Sequence, residues 1–436
     1  MKSSLFLTPA LLLSLTGLPA QSQTSDSLTV EQTVRQVIER HPLVEQASEA
    51  FQASLARVEQ SRSGYYPVSE VELGYVRLDP ISEMGFPGLG LFQLFPENNF
   101  DERISLRQTV YDFGKTSAAL DLSLSNVQSA TNAIEVIKTN LAFLTVQTFY
   151  SILFLRQSIQ VQDRQIEVLN QHILMAQKKV RAETATDFDV LTTQVRIAAA
   201  RNKKFDLQNG MQKQEATMRR LLNLPVDAEI RLRGEFIPVS IDINIDSLTA
   251  VAKKQRVELA QARDAERSAD LQVHVASLRD MPALKVDLTY GLKNGYFPNL
   301  DVLRGNWVAA VEASVPIFNG YRSRSEEQEA RANLRASEAH TRDLERSIFT
   351  EVQQAVSDVQ TSTEKLKTSA VQVDEAKEAL TIATVRYESG VITSLDLLDI
   401  ETALAQAELL NLEARYQQVI SGYALERAIG GNLPGQ

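Results

Sequence analysis

Residues 283–320 carry two segments that decide the fold: Ala283-Leu-Lys-Val-Asp-Leu-Thr-Tyr-Gly-Leu292 and, after a turn-rich connection, Trp307-Val-Ala-Ala-Val-Glu-Ala-Ser-Val-Pro-Ile-Phe-Asn-Gly320. In the first, Leu284, Val286, Leu288, Tyr290 and Leu292 alternate with Lys285, Asp287 and Thr289. In the second, Trp307, Ala309, Val311, Ala313 and Val315 alternate with Glu312 and Ser314 on the other side. A period of two with one apolar face specifies strands of a sheet that is greasy on one side and wet on the other. Past Gly320 the period changes. Ile348, Val352, Ala355, Val359, Ser362, Leu366, Ser369, Val373, Ala376, Leu380, Ala383 and Tyr387 recur at steps of three and four, the heptads of a long helix. Residues 320–389 would span roughly 100 Å at ~1.5 Å per residue, wired to the strand pair through a glycine.

The same plan occurs earlier in the chain. Val71-Glu-Leu-Gly-Tyr75 matches Val286-Asp-Leu-Thr-Tyr290, each behind a proline, Pro67 or Pro282. Val110-Tyr-Asp-Phe-Gly114 matches Val315 to Gly320, Lys179 to Leu191 matches Arg386 to Leu398, and Arg220-Leu-Leu-Asn223 matches Arg427-Ala-Ile-Gly430. Val71, Leu73 and Tyr75 oppose Glu70 and Glu72, and Ile104, Leu106 and Val110 oppose Arg103, Ser105, Arg107 and Thr109. A long repeat seen twice is a duplicated half rather than a solenoid array. The predicted organisation is a signal peptide at 1–20 and a first repeat at 21–222. That repeat holds a helix, strands over 67–78 and 100–111, a long helix over 114–181 and a return helix over 188–222. A linker at 223–245 leads to a second repeat at 246–430. Its strands fall over 283–292 and 306–318, its long helix over 320–389 and its return helix over 395–430, before a tail at 431–436.

Four strands cannot close a barrel. Two destinations are open to the greasy face: the core of a soluble β-sandwich, or lipid. The helices alone fit a soluble coiled coil as well as a wide ring, because their seams mix Ala, Ser, Thr and Gln with Leu and Ile. Length and wiring favour the second member of each pair. An open sheet edge is not tolerated in hydrocarbon, and three chains of four strands would close an even-stranded barrel. The alternative is a periplasmic coiled-coil adaptor or structural protein with its strands in a soluble sandwich.

Other features narrow the class. Lys2, the apolar Leu11 to Leu18 and the small residue Ala20 read as a secretory signal. There is no cysteine, hence no disulfide and no lipid-anchored Cys. A net charge of −10 argues against a nucleic-acid partner. The four histidines, His41, His172, His274 and His340, lack metal-ligand spacing and read as helix-surface residues. No phosphate-binding glycine loop or nucleophile motif is present, so neither an enzyme nor a cofactor is expected, and energy must come from a partner. The apolar, turn-rich loop 79–99 fits the rim of a barrel or a cap over its mouth.

The segment Arg386-Tyr-Glu-Ser-Gly-Val-Ile-Thr-Ser-Leu-Asp-Leu-Leu-Asp399, with Ala403 to Ala407 and the ending Arg427-Ala-Ile-Gly430, resembles the TolC family of outer-membrane efflux proteins. Lys179 to Leu191 and the opening Leu28-Thr-Val-Glu-Gln-Thr-Val with His41-Pro42 are similar to the same family, over nearly the whole mature chain. The resemblance implies an α+β membrane protein. It would be a homotrimer with a twelve-stranded outer-membrane β-barrel continuous with a long periplasmic α-helical barrel, in a Gram-negative bacterium. Residues 223–245 would lie in an equatorial belt. The implied partners are outer-membrane lipid, a periplasmic adaptor and an inner-membrane transporter, with small molecules or proteins exported passively through the tunnel. By the same resemblance Tyr387 is the tyrosine of a periplasmic gate, Asp189 its carboxylate partner, and Asp396 and Asp399 a ring at the pore constriction. Asp189 and Asp396 also stand where carboxylates cap helices. Two positions depart from the family. Glu183 replaces the usual glycine of the first turn, whereas Gly390 keeps it in the second. A left-handed backbone is costly for glutamate, so the first turn is expected to close differently. Ile392 stands where an arginine can serve the gate, which thins the polar latch.

Overall fold

The computed structural model describes residues 27–88, 90–238 and 244–436, so the expected signal segment lies outside the described residues. Helices α1 (Val30–Arg40) and α2 (Pro42–Arg62) lead to strand β1 (Val68–Arg77), a small hairpin of β2 (Glu83–Phe86) and β3 (Gly90–Gln93), and strand β4 (Asn98–Tyr111). Then come α3 (Lys115–Arg181) and α4 (Asp187–Leu221). The second run is α5 (Ile245–Gln255), α6 (Val257–Ser277), β5 (Ala283–Lys293), β6 (Arg304–Ser314), α7 (Arg322–Glu388) and α8 (Ser394–Ile429). The duplication extends to helix lengths: 11, 21, 67 and 35 residues in the first half, 11, 21, 67 and 36 in the second.

Three local differences from the sequence reading have simple causes. β6 stops at Ser314 rather than at 318, because Pro316 has no N–H to give a ladder. The 79–99 loop holds the β2–β3 hairpin. Val110 does not stay in step with Ile104 and Leu106. The ladder shifts between Thr109 and Tyr111, a bulge that places Tyr111 opposite Leu284.

The four long strands form one antiparallel sheet in the order β1-β4-β5-β6. Register aligns the pleat across all four. Val71, Ile104, Tyr290 and Trp307 form one row, and Ser69, Leu106, Leu288 and Ala309 another, on the same face. The opposite face carries the cross-strand ion pairs Arg103–Glu72 and Arg107–Asp287. None of the described residues covers the apolar face: Leu73 is 77 % exposed and Trp307 76 %. Among the described residues the buried apolar clusters draw on helices, the linker and the C-terminal tail, never on these strands. A soluble sandwich would require a second sheet there, and that alternative is set aside.

The helices bury their seams against one another. α3 lies beside α2 and α6 at the strand end and beside α4 and α8 at the far end, and α7 passes from α6 to α8. Small polar residues fill narrow gaps in these seams: the Ser362 and Ser421 hydroxyls bond at 2.8 Å, and Asn411 donates to Ser369 at 3.1 Å. The widest core sits at mid-length, where Val34, Val37, Val146, Phe149, Met218 and Leu221 pack with Leu232 of the linker. That linker is stitched to the start of the chain: Leu28 N–H donates to Arg231 at 2.8 Å, and Arg233 N–H donates back to Leu28 at 2.9 Å.

Candidate functional site

The two helical turns at the far end of the molecule close by the same bonds. In the second turn Gly390 N–H donates to the Tyr387 carbonyl at 3.1 Å and Val391 N–H to Arg386 at 2.8 Å, with Gly390 at φ +79°. In the first, Glu183 N–H donates to Val180 at 3.0 Å and Thr184 N–H to Lys179 at 2.9 Å, with Glu183 at φ +58°. This is one closing motif used twice. The expectation that glutamate would force a different closure is therefore corrected. The chain accepts the left-handed strain at Glu183 because two backbone bonds and the next helix demand that path.

Each turn then enters its return helix through a capping box. Asp189 accepts from Thr186 N–H at 3.0 Å and from its hydroxyl at 3.1 Å. Asp396 accepts from Thr393 N–H at 2.9 Å and from its hydroxyl at 2.7 Å. These bonds hold Asp396 below the usual carboxylate range. Asp189 and Asp396 thus occupy equivalent places in the two repeats, and in the single chain both cap helices. Asp399 lies farther along α8, pairs with Arg196 of α4 at 2.6 Å, and has a largely exposed side chain. Arg196 also donates to Thr402 at 3.1 Å. Asp399 is thus paired within its own chain, with a partner that no spacing announces.

Tyr387 does not bond to Asp189 in the chain. It is 4 % exposed and packs with Ala383, Leu397 and Ile392, so Ile392 joins its apolar surround. One side of its ring stacks on His172 of α3, with centroids 5.4 Å apart and planes 18° apart. The Lys179 ammonium lies 3.7 Å from the ring centroid and donates to the Tyr387 carbonyl at 2.7 Å. Burial raises the phenol above its ordinary value; the neighbouring Ser394 hydroxyl pulls it back, and the Asp189 and Glu401 carboxylates push it up further. The Tyr387 hydroxyl has no hydrogen-bond partner of good geometry.

His172 was expected on a helix surface and is instead fully buried. Its Nε2 lies 2.9 Å from Ser394 Oγ and its Nδ1 3.4 Å from Glu401 Oε1. His41 is also buried, its Nδ1 accepting from Leu43 N–H at 3.1 Å as the cap of α2. Sequence periodicity offered one pointer to His172: Ile166, Leu169, Ile173 and Ala176 define a seam, and residue 172 lies three from Leu169 along it.

No helix among the described residues is long and apolar enough to cross a membrane, and no group of three or more metal-ligating side chains gathers among them. The chain matches the family model described as "Outer membrane efflux protein" over residues 33–224 and 248–431. It is 23% identical over 398 residues to the pyoverdine export outer membrane protein OpmQ of Pseudomonas putida, covering 87% of this chain and 82% of that protein. It is 20% identical over 441 residues to the outer membrane protein TolC of Escherichia coli, covering 96% and 85%. Among solved structures, the Campylobacter jejuni CmeC outer membrane channel superposes with a TM-score of 0.79 at 15% identity over 99% of this chain and 95% of that one. VceC of Vibrio cholerae superposes with a TM-score of 0.78 at 16% identity over 93% and 96%. The match takes in both halves of the duplication, and the chain belongs to the outer membrane efflux protein family as a TolC-like export channel of the outer membrane that extends into the periplasm.

Proposed function

We propose that three copies of this chain form one passive export tunnel whose periplasmic mouth is controlled at the two helical turns. The observation that carries the assembly is the sheet. Among the described residues its apolar face is uncovered and its edges, β1 and β6, have no partner strand. The four strands are antiparallel throughout, so β6 of one copy meets β1 of the next with antiparallel sense, and three copies close twelve strands with no free edge. Helices of 67 residues continue each barrel segment by roughly 100 Å, toward a periplasmic adaptor and an inner-membrane transporter that supplies the energy.

At the far end Tyr387 ties the α7–α8 hairpin to α3, and Asp189 stands close enough to act on its phenol. Opening separates the hairpins, and a docking partner that binds the separated form better shifts the balance. Asp396 and Asp399, repeated threefold, line the constriction and favour cations. The test is single-channel recording in planar bilayers with detergent-purified protein. Tyr387→Ala, which removes the ring that packs against His172 and Lys179, should raise conductance while the protein still runs as a trimer. Asp396→Asn with Asp399→Asn should weaken cation preference. A monodisperse monomer would refute the assembly. Unchanged conductance in the first variant and unchanged selectivity in the second would reduce these residues to helix caps and packing.

A further inference from the structure

We infer that His172 is the positioning residue that holds the gate tyrosine, and that protonation of its imidazole tightens the hold. The inference rests on the reading of Tyr387 as a gate residue. It starts from a polar cluster that joins three helices, buried at His172 of α3, Tyr387 of α7 and Ser394 and Glu401 of α8 and half-buried at Lys179 of α3. Residues 172 and 179 are two helical turns apart, about 10 Å along α3. The Tyr387 ring fills the space between them, 5.4 Å from the imidazole centroid and 3.7 Å from the ammonium. The tyrosine is therefore set in a slot of α3 while its backbone belongs to the other hairpin.

Hydrogen-bond capacity shows why the imidazole matters. A neutral His172 satisfies its neighbours in one way: Nδ1–H donates to Glu401 Oε1, and Nε2 accepts from the Ser394 hydroxyl. In that arrangement the Tyr387 hydroxyl and Glu401 Oε2 are left buried without partners. Such groups are costly to keep. A second proton at Nε2 gives the first a partner and sets a positive charge beside the second. Nε2–H then donates to Ser394 Oγ, which frees the serine O–H to turn to the adjacent Tyr387 oxygen. The added positive charge offsets the buried Glu401 carboxylate and faces the π-cloud of Tyr387. The charged groups facing His172 are Lys179 on its own helix, Glu401 on α8 and, beyond Tyr387, Asp189 on α4; Tyr387 itself is the facing group of α7. The clip is therefore tighter when the imidazole carries its second proton.

The experiment compares wild type, His172→Gln, Glu401→Gln and the double variant as detergent-purified trimers in planar bilayers at about pH 8 and about pH 5. Wild type should lose open probability on acidification about fivefold more than His172→Gln, the difference between a neutral and a charge-assisted bond. Any pH response of the rest of the mouth is common to both proteins and drops out of the comparison. Glu401→Gln should lose the same pH-dependent component, and the double variant should be no flatter than either single one. If His172→Gln fails to assemble, Glu401→Gln carries the test by itself. An unchanged wild-type pH profile in the assembled variants overturns the inference. Tyr387→Ala, recorded alongside, separates the two readings. Without any effect at either pH it removes the gate assignment. If it opens the channel while His172→Gln and Glu401→Gln keep the wild-type profile, the gate stands and the role of His172 falls.

Discussion

Leu288 and Thr289 are chain neighbours that the pleat sends to opposite faces of the sheet, and exchanging each for arginine measures which face meets lipid. Leu288 lies between Leu106 and Ala309, in the row next to Tyr290 and Trp307, where no ionised side chain is at hand. Thr289 lies between Ser105 and Val308, on the face that carries Arg103–Glu72 and Arg107–Asp287. An arginine facing lipid costs ~2–4 kcal/mol near the bilayer midplane and far less at the interfaces. Per chain, Leu288→Arg should therefore lower the folding equilibrium by about thirtyfold to a thousandfold, whereas Thr289→Arg should stay within ~0.5 kcal/mol, because the new cation has water and Glu70 on its side. The effect appears three times in the trimer. The assay is urea-dependent folding into lipid vesicles, with recovery of the heat-modifiable trimer as the readout. Equal costs, or a larger cost for Thr289→Arg, would falsify the assignment of the apolar face to lipid.

Three further outcomes follow from the helical part. Gly430→Ala should destabilise the trimer by ~2–4 kcal/mol, since φ is +73° and a Cβ would lie 2.8 Å from the Gln255 carbonyl carbon; thermal melting in detergent measures it. Glu183→Gly relieves a left-handed residue worth ~1–2 kcal/mol and gives back ~0.4–1 kcal/mol in unfolded-chain entropy. Hydrogen exchange across 180–186 should slow, and faster exchange would contradict the strain argument. Burial raises the Glu426 carboxyl above its ordinary value, so the folded chain favours the protonated form. Its contribution is complete below the unfolded carboxylate value and is lost as pH rises through the folded one. Glu426→Gln should accordingly gain melting temperature over wild type at neutral pH and lose that gain toward pH 4; a gain independent of pH would refute it.

The primary structure alone determined the duplication, the alternating faces of the long strands and the heptad seams of the long helices. These are periodic properties, and a period states which side of its own element a residue occupies. Leu288 against Thr289 and Val352 against its neighbours were legible for that reason. The family resemblance added the turn motif and the positions of Tyr387, Asp189, Asp396 and Asp399. Tertiary structure decided what those positions touch. His172 and Glu401 are 229 residues apart, and Arg196 and Asp399 are 203 apart. No local pattern marks such pairs, because they exist only once α3, α4 and α8 lie side by side. The left-handed Glu183 is of the same kind: local preference argues against it, and the geometry of joining two antiparallel helices overrides that preference. Period and propensity set each element and its greasy side. Which buried polar groups face one another was settled only when the helices packed.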